Sequence, residues 1–465
     1  MSNTTNNPYK DKLIVAPMVR ASNLPFRLLC LRYGADLAYS EELIDHRLSQ
    51  CRRLVNKVLK TIDFVDPCGD VVLRTCEEER GKLVLQIGSN DSDRALRAAR
   101  LAQDDIVGLD FNFGCPKPFS LSGGMGAALL EKPEQIENLL KTCVKNLAIP
   151  VTCKIRILPN LEDTIELGKL IESCGVSAIA VHGRTKDQRS RHDNRDDVIL
   201  KISESLTIPV IANGGSNWIK SYSDIIKFRD SVGASSVMIA RAAMRNPSVF
   251  CSSNSLEPVT SVISEYLKLA VKYDNPIPLT KYTLQSMMSA GHFEGSFCKS
   301  VHQCVDYKSL CKVFDLSDWF KENEIKSRDY YDESVFIEDS ALSAYLNESR
   351  KKLEYKNYGF ICDDIAYCKK FHKGNQTPKA VLMEHSNRNP GEKLVIDTVP
   401  LSNQHRFCCM IEYKQVGYIN KSKCSSKRMA EQATAYLVCR HLGLLGNPVG
   451  EHGDNDYEDD KVAQL

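Results

Sequence analysis

KLVLQIGSNDSDRALRAARLAQDDIVGLDFNFG, residues 82–114, decides the fold. Its ends, 82–88 and 106–114, are runs of strand-forming apolar residues. Between them SDRALRAARLAQ (92–103) repeats alanine and leucine at spacings of three and four, which puts one apolar face on a helix. Strand, amphipathic helix and strand together form a crossover unit whose two strands lie parallel.

The unit recurs. Further strand candidates are KLIVAPMV (12–19), ADLAYSEE (35–42), PVTCKIRI (150–157), AIAVHGRT (178–185), PVIANGG (209–215) and SSVMIARAAM (235–244). Nearly continuous apolar strands separated by amphipathic helices indicate a parallel sheet covered on both faces. Eight units within about 240 residues predict an α/β protein built on a (β/α)8 TIM barrel. A doubly wound open sheet is the runner-up, but the G-x-G-x-x-G turn expected after its first strand is absent.

A chain of 465 residues is too long for one core and predicts several domains. The barrel is expected over 10–257 and a helical domain over 258–314. A mixed stretch over 315–364 reads as a linker. Residues 365–445 follow the order α-β-β-β-α and carry 13 Lys/Arg against 5 Asp/Glu, whereas 446–465 form an acidic tail, expected to be disordered, with 1 against 6. A basic module before an acidic tail points to nucleic acid, although the net charge of the whole chain is only +2.

The first residues, MSNTTNNPYKDK, contain neither an apolar signal region nor an Arg-rich amphipathic helix, so a soluble, cytoplasmic protein is expected. The 18 cysteines form no C-x-x-C pair, which argues for reduced thiols rather than a disulfide framework. His292, Cys298, His302, Cys304 and Cys311 cluster in sequence, but their spacing matches no closed four-ligand zinc pattern, and no metal is expected.

Barrel chemistry gathers at the carboxyl ends of the strands. Those ends here carry Pro17 and Met18, Glu41, Gln86, Asn112 with Cys115, Lys154 with Arg156, His182 with Arg184, Asn213-Gly214-Gly215, and Ala240-Arg241. Unpaired charge is costly in hydrophobic strands, so this rim is more than scaffold. Gly214 and Gly215 taken alone indicate a tight turn. Arg241 on the neighbouring strand makes them a phosphate site, because glycine backbone admits an anion and arginine adds a charged fork. Lys154 and His182 then face the ring system of a phosphate-bearing cofactor, although a lone histidine is more often structural.

APMVRASNLPFRLL, DFNFGCPKPFSLSGGMGAALL, PVTCKIRIL, IAVHGRT, PVIANGGS and MIARAAMRNPSVF, in this order, resemble the tRNA-dihydrouridine synthase family of flavoproteins over residues 12–250. ELIDHRLSQCRRLVNKVL and the C-terminal module resemble its eukaryotic type-2 branch, which implies reduction of uridine at position 20 of the tRNA D-loop. The resemblance implies FMN as cofactor and NADPH as reductant. FMN contacts would come from Pro17, Met18, Val19, Gln86, Lys154 and His182. Asn213, Gly214, Gly215, Ala240 and Arg241 would hold its phosphate end, and Asn112 would lie beside flavin and uracil.

The resemblance makes Cys115 the general acid. Reducing the uracil 5,6-double bond needs a hydride at carbon 6 and a proton at carbon 5. A thiol of pKa about 8.5 is protonated at neutral pH yet acidic enough to donate, and a serine hydroxyl is far too weak. Gly114 and Pro116 flank it and set a sharp, stiff turn.

Residues 376–445 resemble a double-stranded RNA-binding domain through TPKAVLMEH and SSKRMAEQATAYLV, although NKSKCSSKR lacks the usual glycine-rich approach to the last helix. That likeness assigns phosphate contacts to Lys427 and Arg428 with Lys423 nearby, and a minor-groove contact to Lys379 and Glu384. Lys369, Lys370 and Lys373 extend this basic surface. Arg156, Arg184 and the run KDQRSR (186–191) are candidate RNA contacts at the barrel mouth. Two competing readings are a flavin barrel acting on free pyrimidine and an RNA-binding adaptor with an inactive barrel. The C-terminal module opposes the first, and intact Cys115, Lys154, His182 and Arg241 oppose the second.

Overall fold

A computed structural model describes residues 7–67, 69–215, 217–289, 293–325, 330–331, 340–363, 377–401, 406–420 and 426–444. Two compact units divide the chain, Met1–Tyr331 and Asp332–Gln464.

The strands of the first unit are β1 (Leu13–Val15), β2 (Leu37–Tyr39), β3 (Leu43–Ile44), β4 (Arg52–Asn56), β5 (Thr61–Val65), β6 (Val71–Cys76), β7 (Leu83–Gly88), β8 (Gly108–Phe113), β9 (Val151–Arg156), β10 (Ala178–His182), β11 (Val210–Asn213) and β12 (Ser236–Ile239). Eight of them pair in parallel in the order β2-β1-β12-β11-β10-β9-β8-β7, and a β2–β7 pairing closes the ring. These are the eight strands read from the sequence, and the fold is the TIM barrel.

The quoted stretch forms β7, the helix Ser92–Ala102 and β8. Asp91 caps that helix by accepting the N–H of Arg94, and Ala95, Ala98, Ala99 and Ala102 are buried. Four alanines on one face bring the helix close to the strands. Side chains alternate along each strand. Ile14, Val84, Ala178, Ala180, Ile211 and Met238 fill the interior with Tyr9, Leu37 and Tyr39, whereas neighbours such as Leu13, Leu83, Ile179 and Val237 join the outer core. By the same period of two, Gln86, Asp110, Asn112, Lys154, His182 and Asn213 share the inward face. Each inward column is apolar or small low in the barrel and polar at its mouth.

Between β3 and β7 the antiparallel sheet β4-β5-β6 is inserted, a feature absent from the sequence reading. Buried Arg27 grips buried Glu79 through two nitrogens (2.9 and 2.5 Å), and Arg74 grips Asp63 (2.8 and 2.7 Å). Among the described residues of the first unit, five helices follow the barrel: Val259–Lys272, Ile277–Met288, Gly295–Gln303, Tyr307–Val313 and Ser317–Asn323. They belong to the same compact unit as the barrel.

The second unit contains the helix Ser340–Tyr355, β13 (Gly359–Asp363), the helix Pro378–Asn387, β14 (Val395–Leu401), β15 (Arg406–Tyr413), β16 (Val416–Asn420) and the helix Lys427–His441. Its sheet runs β13-β16-β15-β14. Lys414 and Gln415, at φ of 52° and 60°, make the two-residue turn between β15 and β16. Residues 377–441 follow the α-β-β-β-α order of a double-stranded RNA-binding fold.

The linker reading of 315–364 is corrected at both ends. Phe320 packs with Val271 and Cys311 in the first unit, and the Tyr331 hydroxyl donates to Asp63 Oδ2 at 2.7 Å. In the second unit β13 pairs with β16 from Gly359↔Val416 to Asp363↔Asn420. Leu353 is fully buried with Cys408, Met410 and Ile419, on the opposite sheet face from Cys409, Ile411 and the two later helices. Arg350, Lys351, Lys352 and Glu354 of the helix Ser340–Tyr355 are exposed, and Lys356 binds buried Glu412 at 2.6 Å. Lys369, Lys370, Lys373, Lys423, His292 and the acidic tail lie outside the described residues. No helix among the described residues is long and apolar enough to cross a membrane.

Candidate active site

A hydrogen-bond ladder climbs the inner wall of β7, β8 and β9. Buried Asp110 accepts Thr152 Oγ1 at 2.7 Å and Gln86 Nε2 at 2.8 Å. Gln86 Oε1 in turn accepts Asn112 Nδ2 at 3.4 Å. Asn112 Oδ1 then accepts the backbone N–H groups of Gly114 (2.9 Å) and Cys115 (3.0 Å). Because Asp110 only accepts, it fixes which end of the Gln86 amide faces Asn112, and so which end of Asn112 holds the loop. Burial pushes the Asp110 carboxyl up to about 6, against the hydrogen bonds from Gln86 and Thr152.

Cys115 is half-buried, and its carbonyl accepts Ala127 N–H at 3.0 Å. Gly126 (φ 58°) packs so closely that an added Cβ would meet Cys115 O at 2.7 Å and Cys115 Cβ at 3.0 Å. Burial first, and then the Glu42 carboxyl, push the Cys115 thiol up, so it stays protonated at neutral pH. Protonated thiol is the form a general acid needs.

The same mouth carries a set of cations, beginning with Lys154 on β9, in register with Asn112 on β8. Lys154 is half-buried, and burial, with Arg156 beside it, lowers its ammonium to about 8. Burial, Arg184 and Arg245 lower the Arg241 guanidinium. No hydrogen bond or ion pair to a described residue engages Lys154 or Arg241. Burial, followed by Lys154, Arg156, Arg184 and Arg241, holds His182 well below its ordinary range, so the ring is neutral. Its Nε2 lies 3.0 Å from Arg184 Nη1. Guanidinium only donates, so Nε2 accepts and the ring proton sits on Nδ1.

Two of the RNA candidates are engaged within the protein. Arg184 is 2% exposed and bonds to His192 O (2.8 Å), His182 and Gly214 O (3.3 Å). Two residues past the inward-facing His182, it turns into the barrel mouth and braces the rim. Arg156 donates to the carbonyls of Gly114 (2.9 Å), Thr185 (2.9 Å) and Gln188 (3.2 Å), so it pins the Cys115 loop to the next loop. Lys379 is likewise engaged, by Glu431 at 2.6 Å. Lys427 and Arg428 are exposed at the start of the last helix, which Ser426 caps.

Gly214 has φ 131°, and a Cβ there would collide with the Asn194 side chain. Gly215 is crowded by Ile219 and Phe228. Asn213 donates to Met238 O at 2.8 Å, tying β11 to β12, and Ala240 leads into the turn bearing Arg241. Pro17, Met18 and Val19 are half-buried in the turn after β1, where Ser22 Oγ bridges Met18 N–H (2.9 Å) and Ala16 O (3.0 Å). The barrel positions picked out from the sequence therefore surround one mouth. Sequence reasoning missed Asp110, Thr152 and Glu42; inward parity from Gln86 and Asn112 is the signal for the first two.

A closed barrel that brings a thiol and two cations, unpartnered among the described residues, to one mouth has the site of an enzyme. Residues 14–328 match the family described as Dihydrouridine synthase (Dus), and the chain belongs to that family of flavin-type, NAD(P)H-using oxidoreductases. It is 36% identical over 334 residues to a tRNA-dihydrouridine(20) synthase of Schizosaccharomyces pombe, covering 69% of this chain and 67% of the relative. A Saccharomyces cerevisiae protein of the same name is 37% identical over 298 residues, covering 60% and 78%. A crystal structure of a tRNA-dihydrouridine(20) synthase dsRBD domain is 25% identical and covers 19% of this chain and 95% of its own, with a TM-score of 0.18.

Proposed function

We propose that the chain reduces the 5,6-double bond of uridine at position 20 of the tRNA D-loop, using FMN and NADPH, with Cys115 as the proton donor. The observation that carries this is the Cys115 loop, pinned by Asn112 and Arg156 at the mouth that also holds Lys154 and Arg241, two cations with no hydrogen bond or ion pair to a described residue. The names of the fungal relatives support tRNA position 20 and NAD(P) as co-substrate.

Lys154 and Arg241 fit an anionic cofactor, since half-buried cations with no partner among the described residues are costly until an anion arrives. Gly214, Gly215, Ala240 and Arg241 would hold the phosphate of FMN, with Asn213 fixing their turn. Pro17, Met18, Val19, Gln86, Asn112, Lys154 and His182 would surround the rest. When bound, the flavin supplies the hydride for carbon 6. Cys115 holds the proton for carbon 5, and the Asn112 and Arg156 bonds keep its loop in place while the base enters.

A base inside folded tRNA has to leave its stack to reach this mouth. Lys427 and Arg428, exposed at a capped helix N-terminus, are suited to phosphate oxygens and would grip a duplex region. Lys369, Lys370, Lys373 and Lys423 add positive charge to the same part of the sequence. A cytoplasmic site of action belongs to this proposal.

Incubating the flavin-loaded chain with unmodified tRNA and NADPH, then mapping dihydrouridine by position, tests it. Product at position 20 supports the reading. Product on free uridine alone favours a pyrimidine enzyme, and no product with retained RNA binding favours an inactive adaptor.

A further inference from the structure

Arg20 stands at the rim of the mouth, directly after the turn of Pro17, Met18 and Val19. Its φ of 73° lies in the left-handed region, where glycine is the ordinary residue. Lys60, Lys414 and Gln415 share that region inside β-hairpin connections, whose geometry favours it. Arg20 joins no hairpin. Its N–H donates to Glu41 Oε2, just after β2, at 3.0 Å, and its carbonyl accepts Asn23 Nδ2 at 3.2 Å. Glu41 and Asn23 thus hold a backbone shape that an arginine adopts at a cost.

The residue is exposed, and no hydrogen bond or ion pair to a described residue engages its guanidinium. The guanidinium carbon lies over the ring of Tyr282, on the helix Ile277–Met288, 6.0 Å from the ring centroid. A guanidinium over a ring face keeps its in-plane N–H donors free, and two of those donors match two oxygens of a phosphate. Lys154 and Arg241 are half-buried within the mouth, where a cofactor would sit. Arg20 lies at the edge, where an entering strand would pass.

We propose that Arg20 binds a backbone phosphate of the tRNA beside the uridine that enters the mouth. This rests on tRNA being the substrate, as proposed above. A nucleotide turned out of its stack carries its flanking phosphates to the rim, because the base goes in while the strand stays outside. An arginine already anchored at its backbone and set over a ring meets that phosphate with little freedom left to lose. The contact positions the strand and reads no sequence. It also accounts for an arginine where glycine would be easier.

Two measurements on the flavin-loaded full chain test this. The first is equilibrium binding of unmodified tRNA over a range of salt concentrations, without NADPH. Arg20→Gly removes the charge and suits the backbone. It is expected to weaken binding about tenfold at low salt and to lower the slope of log affinity against log salt by about 1. Arg20→Lys keeps the charge and is expected to keep most of the slope. An unchanged slope in Arg20→Gly overturns the proposal. Thermal unfolding of Arg20→Gly is expected within about 2 °C of wild type, and a fall beyond about 4 °C makes the arginine a structural group and overturns it as well.

The second separates RNA from the dinucleotide, comparing flavin reduction by NADPH without RNA with flavin reoxidation by tRNA. Arg20→Gly is expected to slow reoxidation about tenfold at low tRNA concentration, with most of the rate restored at saturation. A loss confined to the NADPH step assigns the arginine to a dinucleotide phosphate and overturns the proposal. Wild type that binds tRNA yet never reduces it overturns the parent reading, while the salt slope still decides whether Arg20 meets RNA.

Discussion

The side-chain oxygen of Asn112 accepts the backbone N–H of Cys115 at 3.0 Å, so the last inward residue of β8 sets the loop that carries the thiol. The same oxygen holds Gly114 N–H at 2.9 Å. Asn112→Ala removes both bonds and is expected to cost about 1–2 kcal/mol of stability. Dihydrouridine formation should fall about 100-fold, because a misplacement of about 1 Å in a reacting group costs that much. Thermal unfolding and initial rates read the two effects separately.

Lys154 gives flavin binding a pH dependence. Its folded value of about 8 lies below its ordinary 10.5, so the stability it withholds returns only as pH rises from about 8 toward 10.5. An anionic ligand favours the protonated lysine. Affinity should therefore be level below pH 8 and fall above it, by about tenfold per pH unit. Flavin titration at pH 7 and pH 9 checks this, and Lys154→Met should bind weakly with no such slope.

Leu353 measures how far the helix Ser340–Tyr355 belongs to the second unit. It is fully buried against Cys408, Met410 and Ile419, and Gly417 leaves the space it fills. Leu353→Ala should destabilise that unit by about 2–5 kcal/mol, seen as an earlier denaturant transition in the full chain.

On the RNA side, Lys427 and Arg428 are exposed while Lys379 is paired with Glu431. Replacing both exposed cations by alanine should weaken tRNA binding and lower the slope of log affinity against log salt by about 2. Lys379→Ala should change that slope far less. Binding titrations over a range of salt concentrations distinguish these outcomes.

The barrel strands are legible because each is largely buried on both faces and reads as a nearly continuous apolar run, broken mainly where it reaches the mouth. β4, β5 and β6 are less so: RRLVN, TIDFV and VVLRTC mix arginine and aspartate with apolar residues, and Arg74–Asp63 pairs across them only once the chain has folded. The helix Ser340–Tyr355 hides for a similar reason, since charged Arg350, Lys351, Lys352 and Glu354 crowd around the buried Leu353 in the sequence. Within the site, residue types mark Cys115, Lys154 and Arg241, but fate follows geometry. Arg184 looks like a surface cation in HGRT and is instead a buried brace on His182. Glu41 and Glu42 are the same residue type, and it is at Gly88, at the end of the neighbouring β7, that the Glu42 carboxyl finds room to be buried.

The central claim is that the thiol at position 115 supplies the proton, and Cys115→Ala tests it most directly. Dihydrouridine should form on unmodified tRNA with the flavin-loaded wild type and NADPH. In Cys115→Ala the rate should fall about 100-fold or more, the scale of a lost general acid, with flavin content retained. Equal rates in the two proteins would contradict the account and leave proton delivery to another group.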